Sequence, residues 1–109
     1  MRAGRLRHRV TIEQKAVTRD SVGGQTVSWT TVAASLPAEV EPISGREFVE
    51  LRAAQADISI RFRLRYRSGI TPAMRVQWDG NAYGIVEAIN VRGMNRELQL
   101  MCSGPAQES

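Results

Sequence analysis

The sequence predicts an all-β fold, a small antiparallel β-barrel or sandwich of about six strands with one short inserted helix. The first observation is the stretch 57–67, in which apolar and polar residues alternate without a break. Successive side chains of a strand point to opposite faces, so this period of two indicates a strand with one buried face. The second observation is that shorter alternating runs recur between Gly, Pro and Asp turns, the spacing expected of a small barrel or sandwich.

The strand at 57–67 has two chemically different faces. Its apolar face predicts a set of core residues: Ile58, Ile60, Phe62, Leu64 and Tyr66. Its opposite face carries a row of four arginines: Arg61, Arg63, Arg65 and Arg67. Three interpretations of this row stay open: a solvated face paired with Glu39, Glu41 or Glu97 on other strands, a nucleic-acid surface, or a subunit interface. Stacking of bases is not indicated, because the aromatic side chains lie on the other face.

The chain opens with a basic segment, residues 1–7, that predicts a flexible arm making contacts through Arg2, Arg5 and Arg7. The first strand follows at 8–18, with three side chains pointing inward: Val10, Ile12 and Ala16. Two glycines then supply positive φ in a loop at 20–24.

The second strand is predicted at 25–36, and its apolar phase changes partway along. The apolar positions are Val27 and Trp29, then Val32, Ala34 and Leu36. This slip at Thr30 and Thr31 predicts a β-bulge, which bends a sheet toward closure. Pro37 predicts an edge or a kink, after which a strand pattern resumes and ends at Pro42.

One segment, 45–55, has helical spacing. Ser44 and Glu47 form a capping box, in which the serine hydroxyl accepts from a backbone N–H and the glutamate reaches back. Two interpretations stay open: a helix that plugs one end of the barrel, or a mobile segment used in contact or gating.

The remaining elements are a turn at 68–69, a strand at 74–78, a hairpin turn at 79–81, a returning strand at 83–89, a tight connection at 92–95, a last strand at 98–102 and a polar tail at 104–109.

The amino-acid composition limits the classes of function that the chain can have. The formal charge is +4 and Lys15 is the only lysine, a bias that suits bidentate contacts to phosphate or carboxylate but also follows from a GC-rich coding sequence. A single cysteine, Cys102, excludes an internal disulfide and is expected in the core, whereas His8 is expected at the surface. No run is apolar enough to span a membrane, and no catalytic, phosphate-binding or metal-ligand motif is present. The sequence therefore predicts no enzyme, no cofactor and no metal site.

Several motifs, in order over nearly the whole chain, resemble one family. They are residues 5–13, Asp20 with Gly23 and Gly24, Trp29, and residues 38–47, 60–75, 83–85, 90–93 and 96–98. The chain resembles the tailed-phage head–tail joining proteins, also called head-completion, head-closure or stopper proteins. One departure is Leu36-Pro37, where relatives often carry a Trp-Ala pair.

The resemblance implies a structural ring component of a phage or gene-transfer-particle neck, which closes the portal after DNA packaging and connects head to tail. The implied partners are further copies in a sixfold or twelvefold ring, a portal or adaptor protein above, a tail terminator or tail tube protein below, and double-stranded DNA held without sequence preference. The implied location is the virion neck, with assembly in the host cytoplasm, and no membrane.

The implied domain is a β-barrel at 8–103 with an insertion at 44–56, between the basic arm and the tail. The resemblance places this insertion toward the channel, and the residues expected to contact or gate it are Ser44, Gly45, Arg46, Glu47, Phe48, Glu50 and Arg52. The arginine row is expected to face the ring or the DNA. A channel that releases DNA cannot bind it tightly, so some of these arginines should instead meet acidic surfaces of neighbouring subunits. The alternative is a stand-alone nucleic-acid-binding β-barrel module.

Overall fold

The computed structural model describes residues 6–43 and 58–105, which fold into six antiparallel strands. The strands are β1 (His8–Arg19), β2 (Gln25–Pro42), β3 (Ile58–Arg65), β4 (Met74–Trp78), β5 (Asn81–Asn90) and β6 (Glu97–Ser103). One turn of 3₁₀-helix, Val91–Gly93, joins β5 to β6. The predicted all-β class is confirmed. The helix predicted at 45–55 lies outside the described residues.

The sheet closes on itself in the order β1-β2-β3-β6-β5-β4. Closure depends on β1, which pairs with β2 along its length and also with β4 over the short stretch Thr11–Gln14. A closed sheet leaves no unpaired strand edge around its circumference, which removes the main route by which isolated sheets aggregate.

The interior of the barrel is filled by the apolar face of each strand. In β3, Ile58, Ile60, Phe62 and Leu64 are buried while the intervening residues are not, as the alternation predicts. The Phe62 ring packs edge-on against Tyr83 and Trp78, with ring centroids 5.5 and 6.1 Å away. Ile60, Phe62 and Leu64 join apolar side chains of the other strands in one continuous core, whereas Ile58 belongs to a second, smaller cluster.

The hairpin formed by β1 and β2 continues beyond the barrel. Pairing between β1 and β4 stops at Gln14, whereas pairing between β1 and β2 runs on to Arg19 and Gln25. We call this extension, residues 15–29, the hairpin arm. Ala16 and Val27 were expected to point into the core, but Ala16 is only half-buried and Val27 is 51% exposed. The reason is that β4 pairs with β1 only as far as Gln14, so among the described strands only β1 and β2 form the arm.

The bulge predicted in β2 is displaced along the strand. The register with β1 changes between Thr31 and Ala33, and again between Ala33 and Leu36, where Ser35 has φ 53°. Each extra residue reverses the alternation, so Ala33 is buried and the expected core residue Ala34 is exposed. The strand continues through Pro37, which lies opposite Arg9.

The strand predicted at 57–67 is shorter in the structure. β3 ends at Arg65, and the Tyr66 N–H donates to the Arg96 carbonyl at 3.0 Å as the chain leaves the sheet. Arg67 therefore lies in the turn that follows, and only three arginines of the predicted row share one strand face. Gly69, with φ 86°, allows this turn to reverse the chain.

The position of Phe62 generates a stability prediction. Its side chain is fully buried, so Phe62→Ala should lower the free energy of unfolding by about 3–5 kcal/mol, because it removes apolar contacts and leaves a cavity. Arg65→Ala, on the exposed face of the same strand, is the matched control and should change it by less than about 0.5 kcal/mol. Urea unfolding monitored by tryptophan fluorescence measures both. Equal losses in the two variants would contradict this assignment of the faces.

Candidate functional site: the arginine surface

The outer face of β3 places each arginine opposite a polar residue of a neighbouring strand. Arg61 lies opposite Glu41 and Arg63 opposite Glu39 on β2, while Arg65 lies opposite Glu97 on β6. Cross-strand neighbours of this kind are close enough for opposite charges to attract. The three glutamates suggested by the sequence as partners of the row are thus its immediate neighbours.

Arg61 is the most firmly held member of the row. Its Nη1 donates to the Glu41 carboxylate at 2.5 Å, and its Nε donates to the Met101 sulfur at 3.4 Å. Only 11% of the Arg61 side chain is exposed. This arginine therefore contributes to the barrel wall, and its charge is already balanced, which leaves it little capacity to bind a partner.

Arg63 is held less completely. Its Nη2 lies 3.6 Å from the second oxygen of Glu41, so one carboxylate is shared between two guanidinium groups. The Nε of Arg63 is buried and, within the described part of the chain, has no hydrogen-bond partner. A second carboxylate approaching Arg63 would supply the counter-charge that Glu41 provides only in part.

Arg63 also lines a surface groove of about 400 Å³ between β3 and the β5–β6 connection. We call it the three-arginine groove, because Arg92 and Arg96 stand beside Arg63 in its wall. Arg92 has φ 56°, an uncommon conformation for a residue with a side chain, and two hydrogen bonds between Asn90 and Asn95 hold the connection around it. The groove is therefore preorganised and carries an excess of positive charge.

Sequence analysis did not identify Arg92 and Arg96 as members of this surface. They lie about thirty residues from the row, and only the pairing of β6 with β3 brings them beside it. The one signal in the sequence was the tight connection at 92–95, whose turn residues indicate an exposed and constrained loop.

Arg65 and Arg67 border a second, smaller hollow of about 250 Å³, which we call the rim pocket. It is otherwise lined by Leu36, Pro37 and Tyr66, with Leu64, whose side chain is buried in the core, beneath them. Both arginines are exposed, and neither forms an ion pair with any residue in the described ranges. The rim pocket thus combines an apolar floor with two guanidinium groups at its edge.

The other predicted site residues are placed only in part. Arg2 and Arg5 of the N-terminal arm lie outside the described residues, whereas Arg7 is exposed and lines a groove with His8, Glu39 and Val40. The predicted gating residues also lie outside them: Ser44, Gly45, Arg46, Glu47, Phe48, Glu50 and Arg52.

The residues that flank the predicted gating segment are described, and they lie side by side. The Ile43 N–H donates to the Ser59 carbonyl at 2.9 Å, and Ile43 and Ile58 are both buried against Met101. Ile43 and Ile58 therefore lie together beside the end of β6.

Groups suited to catalysis are not assembled in the described part of the chain. Cys102 is fully buried, and this burial raises the pKa of its thiol to about 12, so the reactive thiolate is suppressed at neutral pH. His8 is exposed and packs edge-on against Trp78, with ring centroids 5.5 Å apart. Among the described residues, no group of three or more His, Cys, Asp or Glu side chains is placed to hold a metal ion. No helix in these ranges is long and apolar enough to cross a membrane.

The unequal burial of the arginines predicts unequal contributions to stability. Arg61→Ala should lower the free energy of unfolding by about 1–2 kcal/mol, because it leaves Glu41 without its closest partner and removes packing from its aliphatic stem. Arg67→Ala and Arg96→Ala serve as controls and should each have an effect below about 0.5 kcal/mol. Urea denaturation at low and high salt measures these changes. A loss at Arg67 or Arg96 as large as that at Arg61 would assign them to the barrel wall instead.

Comparison with known proteins identifies the family. A family profile described as phage head completion protein matches residues 1–105. Head completion protein gp7 of Enterobacteria phage HK97 is 31% identical over 113 residues, covering 99% of this chain and 100% of the relative. The solution structure of protein SF1141 from Shigella flexneri 2a superposes with a TM-score of 0.76 at 28% identity, covering 99% of this chain and 100% of that one.

A more distant likeness concerns the fold alone. A chain in the virion of a native gene transfer agent particle superposes with a TM-score of 0.58 at 19% identity, covering 90% of this chain and 96% of that one. The profile match and the gp7 relative both extend over essentially the whole sequence, in agreement with the family indicated by its motifs. The chain belongs to the phage head completion protein family.

Proposed function

We propose that this chain is a structural ring component of the neck of a phage or phage-like particle, where it closes the portal after DNA packaging and connects head to tail. The observation that carries the proposal is the match to the head completion family over residues 1–105. The proposed ring contains six or twelve copies, with a portal or adaptor protein above and a tail terminator or tail tube protein below. Double-stranded DNA passes through the ring and is contacted without sequence preference.

The charges around Arg61 and the three-arginine groove favour a protein partner over DNA. The charge of Arg61 is already balanced by Glu41, and the three-arginine groove includes the acidic residue Glu97. A DNA-binding face would instead present phosphate ligands without acidic neighbours, and its affinity would fall steeply with salt. The groove therefore suits an acidic side chain of a neighbouring neck protein, which can form bidentate pairs with Arg92 or Arg96.

The positions of the aromatic residues also argue against a nucleic-acid partner. Phe62 and Tyr83 are buried inside the barrel, and Trp78 packs against both of them. Single-stranded nucleic acid is usually bound by bases stacking on exposed aromatic rings, and this cluster is engaged in the core. The alternative function, a stand-alone nucleic-acid-binding module, predicts tight DNA binding by the isolated chain, whereas a neck protein should bind DNA weakly before assembly.

For the channel, we assign the gating role to residues 44–56. Support comes from their point of attachment, because Ile43 and Ile58 are anchored side by side and hold both ends of the segment at one end of the barrel. A segment anchored in this way can extend from the barrel without disturbing the core. In a ring, equivalent segments from all copies would converge and obstruct the path of DNA.

Replacement of residues 44–56 by a short Gly-Asn-Gly turn tests this function. The variant should fold with nearly unchanged stability, because the ends to be joined are already adjacent. It should still be incorporated into particles, and those particles should lose their DNA during purification. Nuclease protection of the packaged genome and electron microscopy of the necks measure both effects, with a particle lacking the protein altogether as the reference. Variant particles that retain a full genome would exclude gating by this segment.

A further inference from the structure

We propose that the hairpin arm is the element that links one copy of this chain to the next, with its tip seated in the rim pocket of the neighbouring copy. This inference rests on the proposed ring and names the surfaces that would build it. The contact is head-to-tail, because the tip and the pocket are different surfaces of the same chain. Contacts of this kind generate rings when the rotation between copies closes.

Valine side chains of the arm are exposed in the described part of the chain. Among the described residues, four large apolar side chains are strongly exposed, and three of them belong to the arm: Val17 at 51%, Val22 at 88% and Val27 at 51%. Val17 and Val27 are directly opposite each other across the hairpin, so they form one patch. Single exposed apolar residues are ordinary, but this concentration on one projecting element indicates an interaction surface.

The tip of the arm is organised to present Val22. Oδ1 of Asp20 accepts hydrogen bonds from the backbone N–H groups of Val22 at 3.1 Å and Gly24 at 2.7 Å, while the Asp20 N–H donates to the Gly24 carbonyl at 2.9 Å. Gly24 is required by this arrangement, since a Cβ there would lie 2.7 Å from the second oxygen of Asp20. A loop held in one conformation loses little entropy when it binds.

The rim pocket matches the tip in both shape and charge. Its volume of about 250 Å³ accommodates an aliphatic side chain, and Leu36 and Pro37 supply apolar walls. Its edge carries Arg65 and Arg67, which can pair with the carboxylate oxygen of Asp20 that the turn leaves unused. The tip thus presents one apolar group beside one negative charge, and the pocket presents an apolar floor beside positive charges.

A tip cannot reach the pocket of its own chain. Val22 and Leu36 are joined by the extended strand β2, and the eleven steps from Gln25 to Leu36 span roughly 30–40 Å at about 3.3 Å per residue. The contact must therefore be made in trans. The tip of this same chain carries the apolar group and the negative charge that the rim pocket would accept. We therefore assign the occupant of the pocket to a second copy and not to another protein.

Disulfide trapping of the full-length chain tests the contact directly. The variant Ser21→Cys with Ser68→Cys places one thiol beside Val22 and one beside Arg67, both at exposed positions and both by nearly isosteric substitutions. The native Cys102 is buried, so it stays out of the reaction. Mild oxidation should give a ladder of covalent dimers, trimers and larger species, at least ~10-fold faster than in the control pair Ser21→Cys with Met94→Cys, because docking raises the effective concentration of the two thiols.

Two further substitutions, each added to the variant with Ser21→Cys and Ser68→Cys, identify the interactions that hold the tip in the rim pocket. Val22→Ser should slow the ladder toward the control rate by removing the apolar anchor. Asp20→Asn should also slow it, since the amide oxygen can still accept the two backbone hydrogen bonds but the charge facing Arg65 and Arg67 is lost. Equal rates in the reactive and control pairs would overturn the proposal. If such a variant still enters particles, the proposed neck function stands while this contact is excluded.

Discussion

The junction between the barrel and the hairpin arm is held by Arg75, and the geometry of the molecule depends on it. Arg75 lies opposite Glu13 in the β1–β4 pairing, and its Nε donates to the Glu13 carboxylate at 2.8 Å. Its guanidinium also stacks over the Trp29 ring, with the Arg75 Cζ 4.1 Å from the ring centroid. Both charged side chains are largely shielded, at 15% and 17% exposure, which strengthens the pair relative to an exposed one. One side chain thus joins β4, β1 and β2 where β1 leaves the barrel.

This junction explains how β1 and β2 can belong both to the barrel and to the hairpin arm. Within the barrel they complete a closed sheet, and beyond it they form a two-stranded ribbon with which no other described strand pairs. A free ribbon of this kind is marginally stable in water. The bulges between Thr31 and Leu36 bend β2 just beyond the ribbon, next to the contacts that Arg75 makes with Glu13 and Trp29.

The two ends of β2 are assigned to different contacts. Its beginning forms the arm, and its end leads through Ile43 to the segment at 44–56. Between them the strand is fixed by its neighbours in the sheet, so the barrel acts as a rigid spacer. The proposed contacts between copies at one end and the proposed obstruction of a channel at the other can then change independently. The three-arginine groove, on the outer wall, remains available to a third partner.

Sequence analysis predicted the class, the number of strands and most of the core, because a period of two reports directly which side chains share a face. It did not predict the arm, since Val17 and Val27 alternate in the same way whether two neighbouring strands cover them or none. The number of neighbours is a property of the whole sheet and not of local pattern. The three-arginine groove was missed for a similar reason: Arg63 meets Arg92 and Arg96 only through the pairing of β3 with β6.

Amide hydrogen exchange, compared between the isolated chain and the chain in assembled particles, tests most directly whether this protein works through its arm. In the isolated chain, β3 and β6 should be strongly protected, whereas amides of the arm should exchange rapidly because few contacts cover them. In particles, residues 15–29 and the turn after β3 should become protected together. Arm amides that exchange equally fast in both states would contradict a role of the arm in assembly.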